Sequence, residues 1–312
     1  MNATGALFEG LRRASRAPGL VLALWAANWI IAAPLAVFML ESIHSFTARS
    51  SYNEALLEGF DTGWFAEFTE AGGAIEESLT PSHIGVGAWL SNLDRWWDGR
   101  VFLENPWLLA TGALFVVLWL FVLGGVIESL REGAPRPRLA SVLGDGVDFF
   151  PRLLRLGVLT ATGYYAIFRF VRWLFPKIQA MTIDVTSESW VLFANLAAAT
   201  VVVLLITLVR VVSDYAKISM VVERRRSALL SLVRGLRFVV GQPLRVMAIA
   251  GMFGGLMFLL FLGYHILSPG AGDSTPLTIL TALAIGQVFL VAKQALRIAF
   301  LASEVAFFEV PG

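Results

Sequence analysis

The sequence predicts an all-α polytopic membrane protein, with six transmembrane helices arranged as three pseudo-repeated hairpins and amphipathic interfacial helices on one face. Three observations lead there. Of 312 residues, 57% are apolar and only 15% charged, with a mean hydropathy of +0.72, whereas soluble domains carry about 25% charged residues. The apolar residues gather into six runs, each near the roughly 20 residues needed to cross a hydrocarbon core about 30 Å thick. Finally, a short motif recurs just before two of those runs. Gly10-Leu11-Arg12 is followed by Pro18, and Gly235-Leu236-Arg237 by Pro243 at the same offset. The whole chain, 1–312, reads as one membrane domain: an interfacial helix and first span over 1–40, an external amphipathic cap over 41–106, and spans two to six over 107–312.

The elements follow in order. The first span, 19–40, comes after Arg12, Arg13 and Arg16. It is longer than the 7 to 15 apolar residues of a cleaved signal, so it is expected to stay in the membrane. In the external segment, Asp61 can cap a short helix with Trp64, Phe65 and Phe68 on one side. Thr80-Pro81 can then start a second helix with Val86, Trp89, Leu90, Leu93, Trp96 and Trp97 at helical spacing. Spans two to six fall at 107–127, 153–175, 190–209, 246–267 and 277–300. A looser copy of the motif, Gly146 through Pro151 and Arg152, precedes the third span, and Leu139, Leu143, Val147, Phe150 and Leu154 trace one helical face there. Ser227, Ser231, Arg234 and Arg237 form a polar stripe on the helix before the fifth span. Lys217-Ile218-Ser219-Met220-Val221 resembles Arg297-Ile298-Ala299-Phe300-Leu301 at the ends of two even spans. Each unit is thus expected to be an interfacial helix, an outward span and a returning span. Gly251 with Gly255, and Ala23 with Ala27, predict close helix packing.

Orientation comes from the basic residues. With the N-terminus inside, eighteen of the 24 Lys and Arg fall on the inner side, so both termini are expected to be cytoplasmic. Seven Trp residues, Trp64, Trp89, Trp96, Trp97, Trp107, Trp173 and Trp190, fall at the outer side and fit an aromatic belt. The outer set Trp64, Trp89, Trp96 and Trp97 could also present a surface to lipid or a partner protein.

Chemistry is sparse. There is no Cys, which excludes disulfides and thiolate nucleophiles. His44, His83 and His265 lack metal-ligand spacing, and no P-loop, G-x-S-x-G elbow or dinucleotide fingerprint occurs. Gly144-Asp145-Gly146-Val147-Asp148 is expected to be a turn entering an amphipathic helix. Catalytic residues, metal sites and cofactors are therefore not expected, and a net charge of +1 offers no field for nucleic acid. Within the spans Asn28, Asn195 and Gln287 are the strongest polar groups; they either link helices or line a solute pathway. No acidic or basic residue falls at mid-span, and Arg169, Arg172, Lys293 and Arg297 can snorkel toward the span ends. Arg224, Arg225, Arg226, Arg234 and Arg237 are candidate contacts for anionic lipid. The expected role is a non-enzymatic membrane component that binds lipid or an envelope partner. A permease for a neutral or amphiphilic solute comes second and a membrane-embedded lipid enzyme third.

Residues Gly59 through Phe68, the Gly124-Gly125-Val126-Ile127 ending of the second span, and Asp214-Tyr215-Ala216-Lys217 after the fourth resemble uncharacterised six-span bacterial membrane proteins. The layout is more distantly similar to the membrane domain of some bacterial glycerophosphodiester phosphodiesterases. The resemblance implies a bacterial cytoplasmic membrane. Their soluble catalytic part has no counterpart in this sequence, so the resemblance carries no phosphodiesterase activity to it.

Overall fold

The computed structural model describes residues 1–49, 61–72, 106–131, 138–183, 185, 187–268 and 275–310. Regular structure among them is entirely helical. The helices are α1 (Ala3–Ser15), α2 (Pro18–Thr47), α3 (Thr62–Ala71), α4 (Pro106–Ser129), α5 (Leu139–Thr182), α6 (Glu188–Val222), α7 (Ala228–Gly241), α8 (Pro243–Leu267) and α9 (Pro276–Glu309). Five of them, α2, α4, α6, α8 and α9, are long and apolar enough to cross a bilayer. They mark the chain as a multi-pass membrane protein.

The expected third span departs from this pattern. Residues 153–175 are helical, but they belong to one continuous helix, α5, of 44 residues. At 1.5 Å per residue it runs about 66 Å, twice a hydrocarbon core. Arg155, Arg169 and Arg172, with Tyr164 and Tyr165, leave it too polar to rank with the other five. Pro151 does not divide it, and Gly144 through Asp148 form helix where a turn was expected. The reason is a stripe at three- and four-residue spacing, Val142, Gly146, Phe149, Leu153 and Leu156, all buried. Pro18 and Pro243, by contrast, open new helices at the first turn, after Ala17 and Gln242 leave helical geometry.

The core collects at one end, called here the base, where α1, α7 and the start of α5 lie against the last turns of α9, α6 and α4. Glycine makes each approach possible. A Cβ on Gly10 would lie 1.9 Å from Ser303 Oγ and 2.5 Å from the Ala299 carbonyl oxygen. On Gly235 it would lie 2.7 Å from the Val212 carbonyl oxygen, and on Gly146 2.6 Å from that of Phe121. Gly125 returns the contact from α4, where a Cβ would meet the Val142 carbonyl oxygen at 1.9 Å. Flanking residues at four-residue spacing are small or aliphatic: Ala6 and Ala14 around Gly10, Ser231 and Val239 around Gly235. These contacts put Ala299 level with Val212, whereas the shared tail motif puts Arg297 level with Lys217, a difference of seven residues or about two turns.

Away from the base the helices are largely uncovered. No more than a third of the most apolar stretch of any of the five is buried. A second, smaller cluster joins Ile167, Val171 and Phe175 of α5 to Ala198 and Val202 of α6. The Gly251/Gly255 pair meets nothing within 4 Å among the described residues, so the close packing expected there is absent. In the first hairpin, α2 packs on α9 while α4 packs on α5.

Candidate functional site: the charged base and the polar groups above it

The base owes its shape to seams that turn small residues inward and leave both arginines and aliphatics outside. On α7, Ser231 is fully buried and its hydroxyl donates to the Ser227 carbonyl at 3.0 Å. The expected polar stripe is therefore split: Ser231 belongs to the seam, while Arg234 and Arg237 are exposed. Leu229, Leu230 and Val240 of the same helix are 60–66% exposed. At the start of α5 the expected face is likewise largely exposed at Leu139, Leu143, Val147 and Leu154, while its Phe150 is half-buried against the core.

A chain of ion pairs crosses the base. Glu9 pairs with Arg12 at 2.7 Å and with Arg13 at 2.8 Å; Arg13 reaches Glu309 at 2.9 Å, and its Nη1 also donates to the Leu130 carbonyl at 2.7 Å. Glu309 lies 3.7 Å from Arg131, which pairs with Glu128 at 3.0 Å, and Glu128 pairs with Arg224 at 3.2 Å. The ends of α1, α9 and α4 and the turn after α6 are thus joined by alternating charge. The Arg12 side chain, with Arg13 beside it, holds the Glu9 carboxyl down at about 2 even though partial burial opposes this.

The five arginines of the candidate lipid set divide by partner. Arg224 takes Glu128, and Arg225 and Arg234 share Glu223. Arg226 and Arg237 are exposed with no ion-pair partner among the described residues. Arg224 has φ 48, a left-handed conformation rare outside glycine. It closes α6, because the Arg225 N–H donates back to the Met220 carbonyl at 3.0 Å. The turn folds the chain back so that α7 lies on α6.

Inside the base itself, polar groups cluster at positions that hydropathy does not single out. The apolar runs stop at 209 and 300, but α6 and α9 continue well past them and carry Asp214, Lys217 and Glu304 into the packed core. Lys217 donates to Asp214 at 2.8 Å, and Thr160 of α5 shares a 2.8 Å hydrogen bond with Ser213. Glu304 is 3% exposed, and Tyr215 is fully buried with no hydrogen-bond partner for its hydroxyl among the described residues. Arg297, expected to snorkel, rests its guanidinium 3.7 Å from the ring centre of Trp119 on α4.

The three intramembrane polar candidates are not drawn together by hydrogen bonds. Asn28 donates to the Leu24 carbonyl and Asn195 to the Val191 carbonyl, each within its own helix at 2.8 Å. Gln287 differs: its Oε1 accepts from Trp25 Nε1 at 3.1 Å and from Trp29 Nε1 at 2.8 Å, fastening α9 to α2. Trp64 follows the Asp61 cap, whose carboxylate accepts the Trp64 N–H at 2.7 Å. It is turned inward, 5% exposed, stacked on Phe68 and edge-on to Phe46. Trp89, Trp96 and Trp97, and the second cap helix, lie outside the described residues. His44 and His265 stand near the ends of α2 and α8, away from the base. Among the described residues no group of three His, Asp or Glu is placed to hold a metal. No family model, no curated protein and no solved structure matches this chain, so the assignment of a role rests on the base and its surface.

Proposed function

We propose that the chain is a non-enzymatic, six-span component of a bacterial cytoplasmic membrane, with its base on the cytoplasmic side, and that it holds anionic lipid there. One observation carries this. On α7, Leu229, Leu230, Val233, Leu236 and Val240 are exposed beside the unpaired Arg226 and Arg237. In water such a surface is unfavourable; at a membrane interface the aliphatics enter the acyl region and the guanidiniums meet phosphates. Exposed apolar and basic side chains also adjoin on α1, where Phe8 and Leu11 lie beside Arg12, itself paired with Glu9, and at the start of α5, where exposed Val147 lies near the half-buried Arg152. The three glycine contacts, at Gly10, Gly146 and Gly235, support three pseudo-repeated units, in which α1 closes the set by packing on α9.

The absence of native Cys makes the test clean. A single Cys at Ser227 should resist an impermeant external reagent and one at Ser82 should react; the reverse pattern overturns the orientation. Protein extracted from native membrane into polymer-bounded discs should carry anionic phospholipid above its bulk fraction. A stoichiometric protein seated on the base in place of lipid would point instead to an envelope partner.

A further inference from the structure

Beyond the general basic surface, one place at the base has the form of a discrete site. Between α5 and the turn into α7 lies an open cleft of about 590 Å³, lined by Arg155, Val158 and Leu159 on one side and by residues 226–229 on the other. Arg155 Nε donates to the Pro151 carbonyl at 3.0 Å, and its two terminal nitrogens have no acceptor among the described residues. Arg226 is exposed and likewise unpaired. The nearby acid, Glu223, is already committed to Arg225 and Arg234. Among the described residues no carboxylate lines the cleft to compete for either guanidinium.

The remaining wall is aliphatic. Val158 is 61% and Leu229 63% exposed, and both flank the two guanidiniums. A free phosphate would gain the charge but nothing from that wall, and it would give up hydration to enter. A molecule with a phosphate joined to a hydrocarbon chain satisfies both halves at once. Arg155 also stands where α5 passes from its base segment into its apolar run, the depth at which headgroups lie. We propose that this cleft seats one anionic glycerophospholipid, its phosphate between Arg155 and Arg226 and an acyl chain along Val158 and Leu229. The proposal rests on the base facing a lipid interface, as argued above, and adds a single site of defined residues.

The full chain in phosphatidylcholine nanodiscs, doped with photoactivatable phosphatidylglycerol, tests it by mapped cross-links and by the preference for phosphatidylglycerol over an equally labelled phosphatidylcholine. Cross-links should fall on 155–159 and 226–229. Arg155→Gln with Arg226→Gln should lower the preference at this site roughly tenfold, and the corresponding Lys pair should restore most of it. Removing the same charge elsewhere on the base, by Arg16→Gln with Arg245→Gln, should cost less than about twofold. Leu229→Glu, which keeps both arginines, should also abolish the cross-link and serves if the double variant is poorly folded. Equal losses from both charge-removing pairs would overturn the discrete site while leaving the basic lipid surface standing. No preference for phosphatidylglycerol anywhere in the unaltered protein would overturn both. Competition by millimolar inorganic phosphate would overturn the lipid assignment, because it would show an anion site indifferent to the acyl chain.

Discussion

At the base, helices approach until a single methyl would collide with a neighbouring backbone; on α8, by contrast, two glycines meet nothing within 4 Å among the described residues. Gly10, Gly125, Gly146 and Gly235 belong to the first group and Gly251 and Gly255 to the second. The base and the far half of the bundle are both rich in Leu, Val and Phe, so hydrophobicity does not separate them. In a bilayer it cannot, because lipid tails are as apolar as the side chains and give helices no reason to associate. What distinguishes the base is backbone-level fit plus charge: three glycine seams, and ion pairs running from Arg12 to Arg224. The far half is held by isolated devices, chiefly the Ile167–Val202 cluster and the hydrogen bonds to Gln287.

The largest effects should come from filling the seams. Gly10→Leu, Gly125→Leu or Gly235→Leu forces side-chain atoms into carbonyl or backbone nitrogen positions and should destabilise by about 3 kcal/mol or more. Gly251→Leu and Gly255→Leu should cost under about 1 kcal/mol. Thermal melting of purified variants in nanodiscs checks this, and similar losses in both groups would erase the distinction. Next in size is the ion chain. The Arg13 and Glu309 side chains are only 11% and 13% exposed, so Arg13→Ala removes a largely buried cation shared by Glu9 and Glu309 and should cost roughly 1–3 kcal/mol. A double-mutant cycle with Glu309→Gln should show strong coupling. The same cycle on the more exposed Arg225 and Glu223 should give about 1 kcal/mol or less.

How far this division was legible in the sequence depends on the kind of contact. Gly10, Gly146 and Gly235 stood out as a repeat because a steric requirement for no side chain leaves glycine at a set place before each unit. Gly251 and Gly255 matched a packing motif as well or better, yet a motif records what could pack and not whether a neighbour is present. Ser231 is polar and reads as part of the stripe with Arg234 and Arg237. Its small size fits it to the seam, and its hydroxyl is satisfied locally by the Ser227 carbonyl. The apolar runs end at 209 and 300 while α6 and α9 continue, because a protein-packed base, unlike lipid, tolerates Asp214, Lys217 and Glu304 inside a helix. Pro151 likewise suggested a boundary that the Val142–Leu156 stripe overrides. Trp25 and Trp29 carried no signal at all, since their acceptor is more than 250 residues away.

That pair offers a smaller test, in the far half. Gln287→Leu removes the acceptor of two indole N–H groups while keeping the volume, so α2 should loosen from α9. Interhelical hydrogen bonds in membranes average about 0.6 kcal/mol, so the expected loss is on the order of 1 kcal/mol. Gln287→Glu should retain the contact. Indole fluorescence reports it directly, with a blue shift of Trp25 and Trp29 in the Leu variant and little change in the Glu variant. A loss as large as that from a filled seam would mean the far half is held as tightly as the base.

The smallest effect is a pH dependence confined to the base. The Glu9 carboxyl is lowered from 4.5 to about 2, first by its hydrogen bonds to Arg12 and then by Arg13, with desolvation opposing them. A carboxyl whose pKa is depressed in the folded state stabilises that state fully above its unfolded value, and the contribution fades as pH falls toward the folded value. The Glu9 contribution should therefore be intact above about pH 4.5 and lost progressively between there and pH 2. The side chain is 23% exposed and Arg12 56%, so solvent screening keeps the effect modest. Glu9→Gln should be less stable than the unaltered protein at pH 6, and the two melting curves should converge as pH approaches 2. Gln287→Leu should show no such convergence, because no titrating group takes part in that contact. If the Glu9 and Gln variants stayed equally far apart down to pH 2, the carboxyl would be acting through packing, and charge would have to be removed from what separates the base from the far half.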